Sequence, residues 1–173
     1  KELLDSNLNP SIIVLVDSVQ LASQPGKLVK AIHVLKNKFP GSLLWTPGIG
    51  GPDNAAVLNW FGVDIFDLSR SRMCNSAGVI LSEIGPRMPD ESMNESATMD
   101  VQIQHWKQSI GSIKSNLKNG TLRALVDKQS LNSPHLVEHL RAHDKICSNQ
   151  IGLLSSHVDN EKVLDCSSPN TLN

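Results

Sequence analysis

The chain has 173 residues and a formal charge of -1, and 39% of its residues are hydrophobic. This supports one domain with a moderate core, and no run approaches the roughly 20 apolar residues that span a bilayer, so we predict no membrane contact. The near-zero charge argues against a protein that coats polyanions over its whole surface. Three widely spaced cysteines without a Cys-x-x-Cys pair predict a reducing, cytoplasmic setting and no zinc site.

The N-terminal part predicts three strands that alternate with two helices. An apolar, β-branched run at 12–16 is typical of a strand buried on both faces, and 42–45 and 63–66 predict two more strands. Helical spacing over 28–39, and a proline at the start of 52–62, predict the helices between them. This order with short connections indicates a parallel sheet with right-handed crossovers.

The middle of the chain is less regular. Residues 78–81 are compatible with one more short strand, and the polar, proline-bearing stretch 82–98 predicts a loop or linker.

Three helices are predicted after this stretch. Apolar residues spaced by three and four from Met99 to Leu117 predict an amphipathic helix, and a second helix starts at Thr121. Ser133 and Pro134, a cap followed by a first-turn proline, open the third.

We therefore predict an α/β fold, a partial (truncated) TIM-type β/α barrel with appended C-terminal helices. Residues 1–98 would form the partial barrel and 99–146 a helical extension of the same domain. The weakly patterned residues 147–173 would be a tail or linker toward a further domain, which makes the chain a fragment of a longer protein. An eight-stranded barrel needs about 200 residues or more, so three or four βα units cannot close one.

The segment 44–70 carries most of the functional information. It predicts a strand, a glycine loop, a helix and a strand that ends in acidic residues. Ligands gather at the carboxyl edge of parallel strands, where Gly48 and Gly50 would let the backbone approach them and a helix beginning near Pro52 would offer unpaired N–H groups. Asp67 would present a carboxylate there, unless it only caps a helix in a plain turn.

The order glycine loop, Pro-Asp-Asn, helix and Phe-Gly-Val-Asp-Ile-Phe-Asp resembles the C-terminal part of the tRNA-guanine transglycosylase barrel. Within that superfamily the chain is most similar to the archaeosine synthases, archaeal enzymes of 7-deazaguanine tRNA modification. Further similar segments are Phe66-Asp-Leu-Ser-Arg-Ser71, 116–126 with 133–134 and 140–144, and 163–172.

The resemblance implies a role for Asp67. It falls at the position of the transglycosylase nucleophile, which attacks the ribose C1′ of the target guanosine. A carboxylate suits this chemistry because displacement at an anomeric carbon passes through an oxocarbenium-like state.

The resemblance also implies substrate-binding residues. Gly48 and Gly50 fall on a loop that borders the base pocket in the family, and Asp64 belongs to the same acidic motif as the nucleophile. Arg70 and Arg72 are candidates for contacts with tRNA phosphates, which need no base information. The alternative for both is a surface arginine.

Two departures from the family limit the expected chemistry. The second acidic residue of transglycosylases, from a glycine-rich motif on an earlier strand, has no counterpart here. The Cys-x-Cys-x-x-Cys zinc site is also missing, since 82–98 contains no cysteine. We therefore expect no metal, no cofactor and no base exchange by this chain alone. The reactive Pro-Cys motif of the synthases belongs to a downstream domain and is absent from this sequence.

Three histidines on the last predicted helix are spaced by four: His135, His139 and His143. Two of them could bind a divalent metal as an i,i+4 pair, the spacing that zincins use. No third ligand is predicted on another element, so a solvated helix face is the favoured interpretation.

These observations predict a transglycosylase-like domain of a cytoplasmic tRNA-modifying enzyme. Its partners would be tRNA, a 7-deazaguanine base and either a second copy of the chain or another modification enzyme. One alternative is a non-catalytic scaffold or partner-docking domain, and another is a small-molecule α/β enzyme unrelated to tRNA. The functional assignment depends on one expectation, that Asp67 lies at the rim of the partial barrel beside a pocket that suits a purine-like ring.

Overall fold

The computed structural model of the chain describes Leu4, residues 7–24 and residues 26–155. These residues form a mixed α/β fold that is mostly helical, with two small sheets. The elements in chain order are β1 (Ile12–Val14), α1 (Ser18–Ala22), α2 (Lys27–Lys38), β2 (Leu43–Trp45), α3 (Ala55–Phe61), α4 (Ser69–Ser76), β3 (Ile80–Ser82), β4 (Gly85–Arg87), α5 (Glu95–Lys118), α6 (Leu122–Ser130) and α7 (Pro134–Ser155).

The first two strands pair in parallel, as the sequence predicts. Ile13 lies opposite Leu44, and both side chains are buried in the core. The neighbouring residues Ile12 and Val14 are 52% and 44% exposed, because successive side chains of a strand point to opposite faces. The prediction that this strand is buried on both faces is therefore wrong.

The predicted third strand is reduced to a single parallel bridge between Trp45 and Ile65. The backbone N–H groups of Asp64 and Ile65 donate to the Leu44 carbonyl at 2.9 and 3.1 Å. The Leu44 N–H donates at 2.8 Å to the side-chain carboxylate of Asp64 instead of a backbone carbonyl. A side chain thus replaces the next backbone partner of the ladder, which explains why pairing stops here.

The α/β class is confirmed, while the partial barrel stays a prediction. The helices predicted over 28–39, from Thr121 and from Pro134 are confirmed as α2, α6 and α7. The helix predicted from Pro52 begins at Ala55, because the Gly51 carbonyl accepts from two following N–H groups and forms a turn. Two short helices were not predicted. Helix α1 has only five residues, and polar residues dominate α4.

The stretch predicted as a loop over 82–98 contains regular structure. β3 and β4 form an antiparallel hairpin that turns tightly before Gly85, whose φ of 108° favours glycine. Helix α5 begins at Glu95 because the Asn94 side chain accepts the Ala97 N–H at 2.9 Å and caps the helix. The predicted tail starts inside α7, and residues 156–173 lie outside the described residues.

One hydrophobic core joins the βα part and the later helices. Helix α3 lies near its centre, with Ala55, Val57 and Leu58 at most 2% exposed, and it packs against α5, α6 and α7. Gln129 of α6 accepts the Ala56 N–H at 3.0 Å and so satisfies a backbone donor in the first turn of α3. Across the described ranges, every helix is too short or too polar to cross a bilayer.

Candidate functional site

A cleft of about 640 Å³ opens between residues 64–68 and helix α5. We name these two sides the loop wall, residues 64–68, and the helix wall, the residues of α5 that line the cleft. The loop wall lies beside the end of β2, because Ile65 forms a parallel bridge to Trp45, the last residue of that strand. The helix wall consists of Ile103, Trp106, Lys107, Ile110, Gly111 and Lys114.

Asp67 lies on the loop wall with its carboxylate half-buried. One carboxylate oxygen, Oδ2, accepts from Trp45 Nε1 at 3.0 Å and from the Gly48 N–H at 3.1 Å. The other, Oδ1, accepts the Ser69 N–H at 2.7 Å at the start of α4. Asp67 thus joins the glycine loop, the end of β2 and the next helix.

The surroundings of Asp67 favour its ionised form. Partial burial acts to raise the pKa of the carboxyl group, but hydrogen bonds from Ser69, Trp45 and Gly48 outweigh it and lower the pKa below its ordinary value. The helix-cap interpretation is partly correct, since one of the three donors is in the first turn of α4.

The two glycines predicted to border a base pocket lie behind the loop wall and support it. Gly48 has a φ of 77°, which an L side chain rarely adopts, and its N–H reaches Asp67 in this conformation. A Cβ on Gly50 would lie 2.8 Å from Phe66 Cδ1, so only glycine leaves room for this ring of the loop wall.

Arg70 forms an internal ion pair. Its guanidinium donates to both carboxylate oxygens of Asp53, at 2.5 and 2.7 Å, and Asp53 is 5% exposed. Burial acts to lower the pKa of Arg70, but the hydrogen bonds and charge of Asp53 raise it above the ordinary value. The guanidinium therefore stabilises the loop at Gly51, where it lies against the backbone, and its contact with a tRNA phosphate stays a prediction.

Asp64 and Arg72 differ in their surroundings. Asp64 lines the cleft, but its carboxylate is engaged by Lys36 Nζ at 2.5 Å and by the Leu44 N–H. Arg72 is exposed on α4 and is not among the cleft residues. The structure thus brings together Asp64 and Asp67 at the cleft, with the two glycines behind them.

The aromatic residues of the cleft come from both walls. Phe66 and Trp106 pack with ring centroids 5.7 Å apart and planes tilted by 47°. Trp106 is 7% exposed and donates through Nε1 to Ser71 Oγ at 2.8 Å. Trp106 belongs to the apolar stripe of α5 and is a core residue, and it also lines the cleft.

The helix wall is fixed by Gln102, a buried residue that the sequence analysis missed. Its Nε2 donates to the carbonyls of Ser71 and Val79 at 2.8 and 3.2 Å, and its Oε1 accepts the Leu81 N–H at 3.3 Å. All its polar atoms are therefore satisfied although it is 0% exposed. A glutamine at a position of the helix that faces inward was the available signal.

The three histidines of α7 do not form one solvated face, so that expectation is wrong for two of them. His135 is exposed, whereas His139 is 3% exposed with Nε2 2.9 Å from the Ala22 carbonyl. His143 stacks on Phe61 with centroids 5.2 Å apart, and burial lowers its pKa. No cluster of three metal-binding side chains occurs within the described part of the chain.

Comparison with known proteins gives no match to a family model, a curated protein or a solved structure. Function has therefore to be inferred from the cleft. Its apolar and aromatic walls suit a flat ring, and an ionised carboxylate on one side can accept hydrogen bonds from the edge of that ring. Lysines on the other side can bind negative charge.

Proposed function

We propose that the chain is the transglycosylase-like domain of a tRNA-modifying protein similar to the archaeosine synthases, and that its cleft holds the 7-deazaguanine base. In this proposal the parallel strands are a portion of a TIM-type barrel, and α5, α6 and α7 are the appended helices. The observation that carries it is the position of Asp67, the acid of the family motif, on a cleft beside the ends of parallel strands.

The geometry favours binding over base exchange for Asp67. A carboxylate has about four acceptor positions, and three of them are used by Trp45, Gly48 and Ser69. The remaining position suffices for one N–H or O–H of a ligand. Base exchange would need a second acid, and Asp64, the other acid on the cleft, is already paired with Lys36.

A scaffold without ligand binding is the second candidate. The three internal hydrogen bonds of Asp67 favour it, because they give this acid a structural role even without a ligand. The two proposals differ in one outcome, since only the first requires that the cleft be open to a base.

A blocking substitution in the cleft tests the proposal. Gly111 lines the cleft and is exposed, and a Cβ there would meet nothing within 4 Å, so Gly111→Leu should place a side chain into the open cleft and narrow it. Leucine also favours a helix more than glycine does, by roughly 1 kcal/mol. Titration calorimetry with 7-cyano-7-deazaguanine should show binding to the unchanged chain and at least a tenfold loss in the variant.

Ser115→Leu is the matched control, because Ser115 is exposed on α5 and does not line the cleft. It should bind the base as the unchanged chain does. Asp67→Asn should weaken binding about tenfold, as expected for loss of a charged acceptor. If the unchanged chain does not bind the base, or if Gly111→Leu binds it equally well, the base-binding proposal is wrong and the scaffold is favoured.

A further inference from the structure

The charged side chains of the cleft are segregated by sign. The two carboxylates, Asp64 and Asp67, both lie on the loop wall, and the two ammonium groups, Lys107 and Lys114, both lie on the helix wall. A ligand that fills the cleft would therefore meet hydrogen-bond acceptors on one side and positive charge on the other.

The helix places the two lysines on the same side. They are seven residues apart, which places them on the same face of α5 and about 10 Å apart along its axis. Both are exposed, and neither forms a hydrogen bond or an ion pair with another residue in the described part of the chain. Their charges are thus available, unlike those of Arg70 and Lys36, which are paired with aspartates.

Gly111 separates the lysines and keeps the space between them open. It is exposed, and no atom would lie within 4 Å of a Cβ built on it. A glycine in the middle of a long helix costs roughly 1 kcal/mol relative to alanine. The gap leaves the cleft accessible from the side on which both lysines stand.

We propose that Lys107 and Lys114 bind backbone phosphates of an RNA strand whose base enters the cleft. This inference rests on the proposed function and adds the two residues that would hold the strand beside the bound base. A neutral free base would leave both lysines unused, whereas a strand places phosphates on both sides of each base. Lysine suits such contacts because it is a flexible point charge that requires no particular base.

Salt dependence separates this inference from the proposed function. Affinity for an unmodified tRNA transcript is measured between low and moderate NaCl for the unchanged chain and for Lys107→Ala/Lys114→Ala. Each lost phosphate contact should lower the slope of log affinity against log salt by about one, so the double variant should lose about two. Lys107→Arg/Lys114→Arg should keep the slope.

Lys30→Ala is the control, an exposed lysine on α2 that does not line the cleft, and it should leave the slope unchanged. The double alanine variant should also bind free 7-cyano-7-deazaguanine as before. An unchanged slope in that variant overturns the inference while base binding still supports the proposed function. Loss of free-base binding, or no binding of tRNA by the unchanged chain, overturns it as well.

Discussion

The loop wall and the helix wall of the cleft use their polar side chains in different ways. On the loop wall, Asp64 and Asp67 accept hydrogen bonds from the protein itself, which fixes their positions. On the helix wall, Lys107 and Lys114 project from a helix that is held by the buried Gln102. The comparison indicates that the carboxylates of the loop wall are held in place, whereas the lysine side chains of the helix wall can adjust to a ligand.

Breaking the ion pair between Arg70 and Asp53 should have the largest effect. Arg70→Ala leaves the carboxylate of Asp53 buried without a counter-charge, and such losses cost about 3 kcal/mol or more. Urea denaturation should show this decrease in the free energy of unfolding. Arg72→Ala, two residues away and exposed, should change it by less than about 0.5 kcal/mol.

A second substitution shows whether charge is the cause. Adding Asp53→Asn to Arg70→Ala removes the buried charge and should recover part of the lost stability. Equal stability of Arg70→Ala and the unchanged chain would mean that the ion pair does not stabilise the folded chain.

A change beneath the loop wall should have an intermediate effect. Gly50→Ala places a methyl group 2.8 Å from Phe66 and 3.4 Å from Trp106, and such overpacking costs about 2 kcal/mol. Phe66 belongs to the loop wall and Trp106 to the helix wall. A shift of either ring should also change the near-UV circular dichroism. Gly41→Ala, where a Cβ meets no atom within 4 Å, should leave both measurements nearly unchanged.

Removing the charge of Asp67 should have the smallest effect on stability, about 1 kcal/mol, because asparagine still accepts hydrogen bonds. Since the folded-state pKa of Asp67 is lowered, its contribution is fully present above the ordinary value of 3.8 and is lost as the pH falls through the folded-state pKa. The difference in unfolding free energy between the chain and Asp67→Asn should therefore shrink below about pH 4. A difference that is constant from pH 3 to pH 7 would contradict the assigned hydrogen bonds.

The elements with a strong pattern were predictable from the sequence. The helical spacing in α2, the cap and proline at the start of α7 and the apolar runs of β1 and β2 specify these elements locally. Helix α4 was not predictable, because its polar residues carry no periodic signal and its start depends on a hydrogen bond to Asp67. The length of the third strand depended on the Asp64 side chain, which spacing cannot show.

The candidate site was only half predictable. A motif indicates Asp67 and the glycine loop, since those residues are close in sequence. The helix wall is more than 35 residues further along the chain, and Lys107 and Lys114 look like ordinary solvated residues of an amphipathic helix. Their position beside the loop wall follows from the packing of α5 on α4 and β3, through Gln102.

The side chain of Gln129 links the N-terminal part of the chain to the later helices. This link determines whether the N-terminal part can fold when it is excised. Its two ends bind the Ala56 N–H and the Pro52 carbonyl, so the amino end of α3 is completed by a residue more than 70 positions later. An excised 1–98 piece would expose those backbone groups together with the apolar surface of α3. Such a piece should not be a self-sufficient folding unit, and melting of the whole chain should be a single cooperative event.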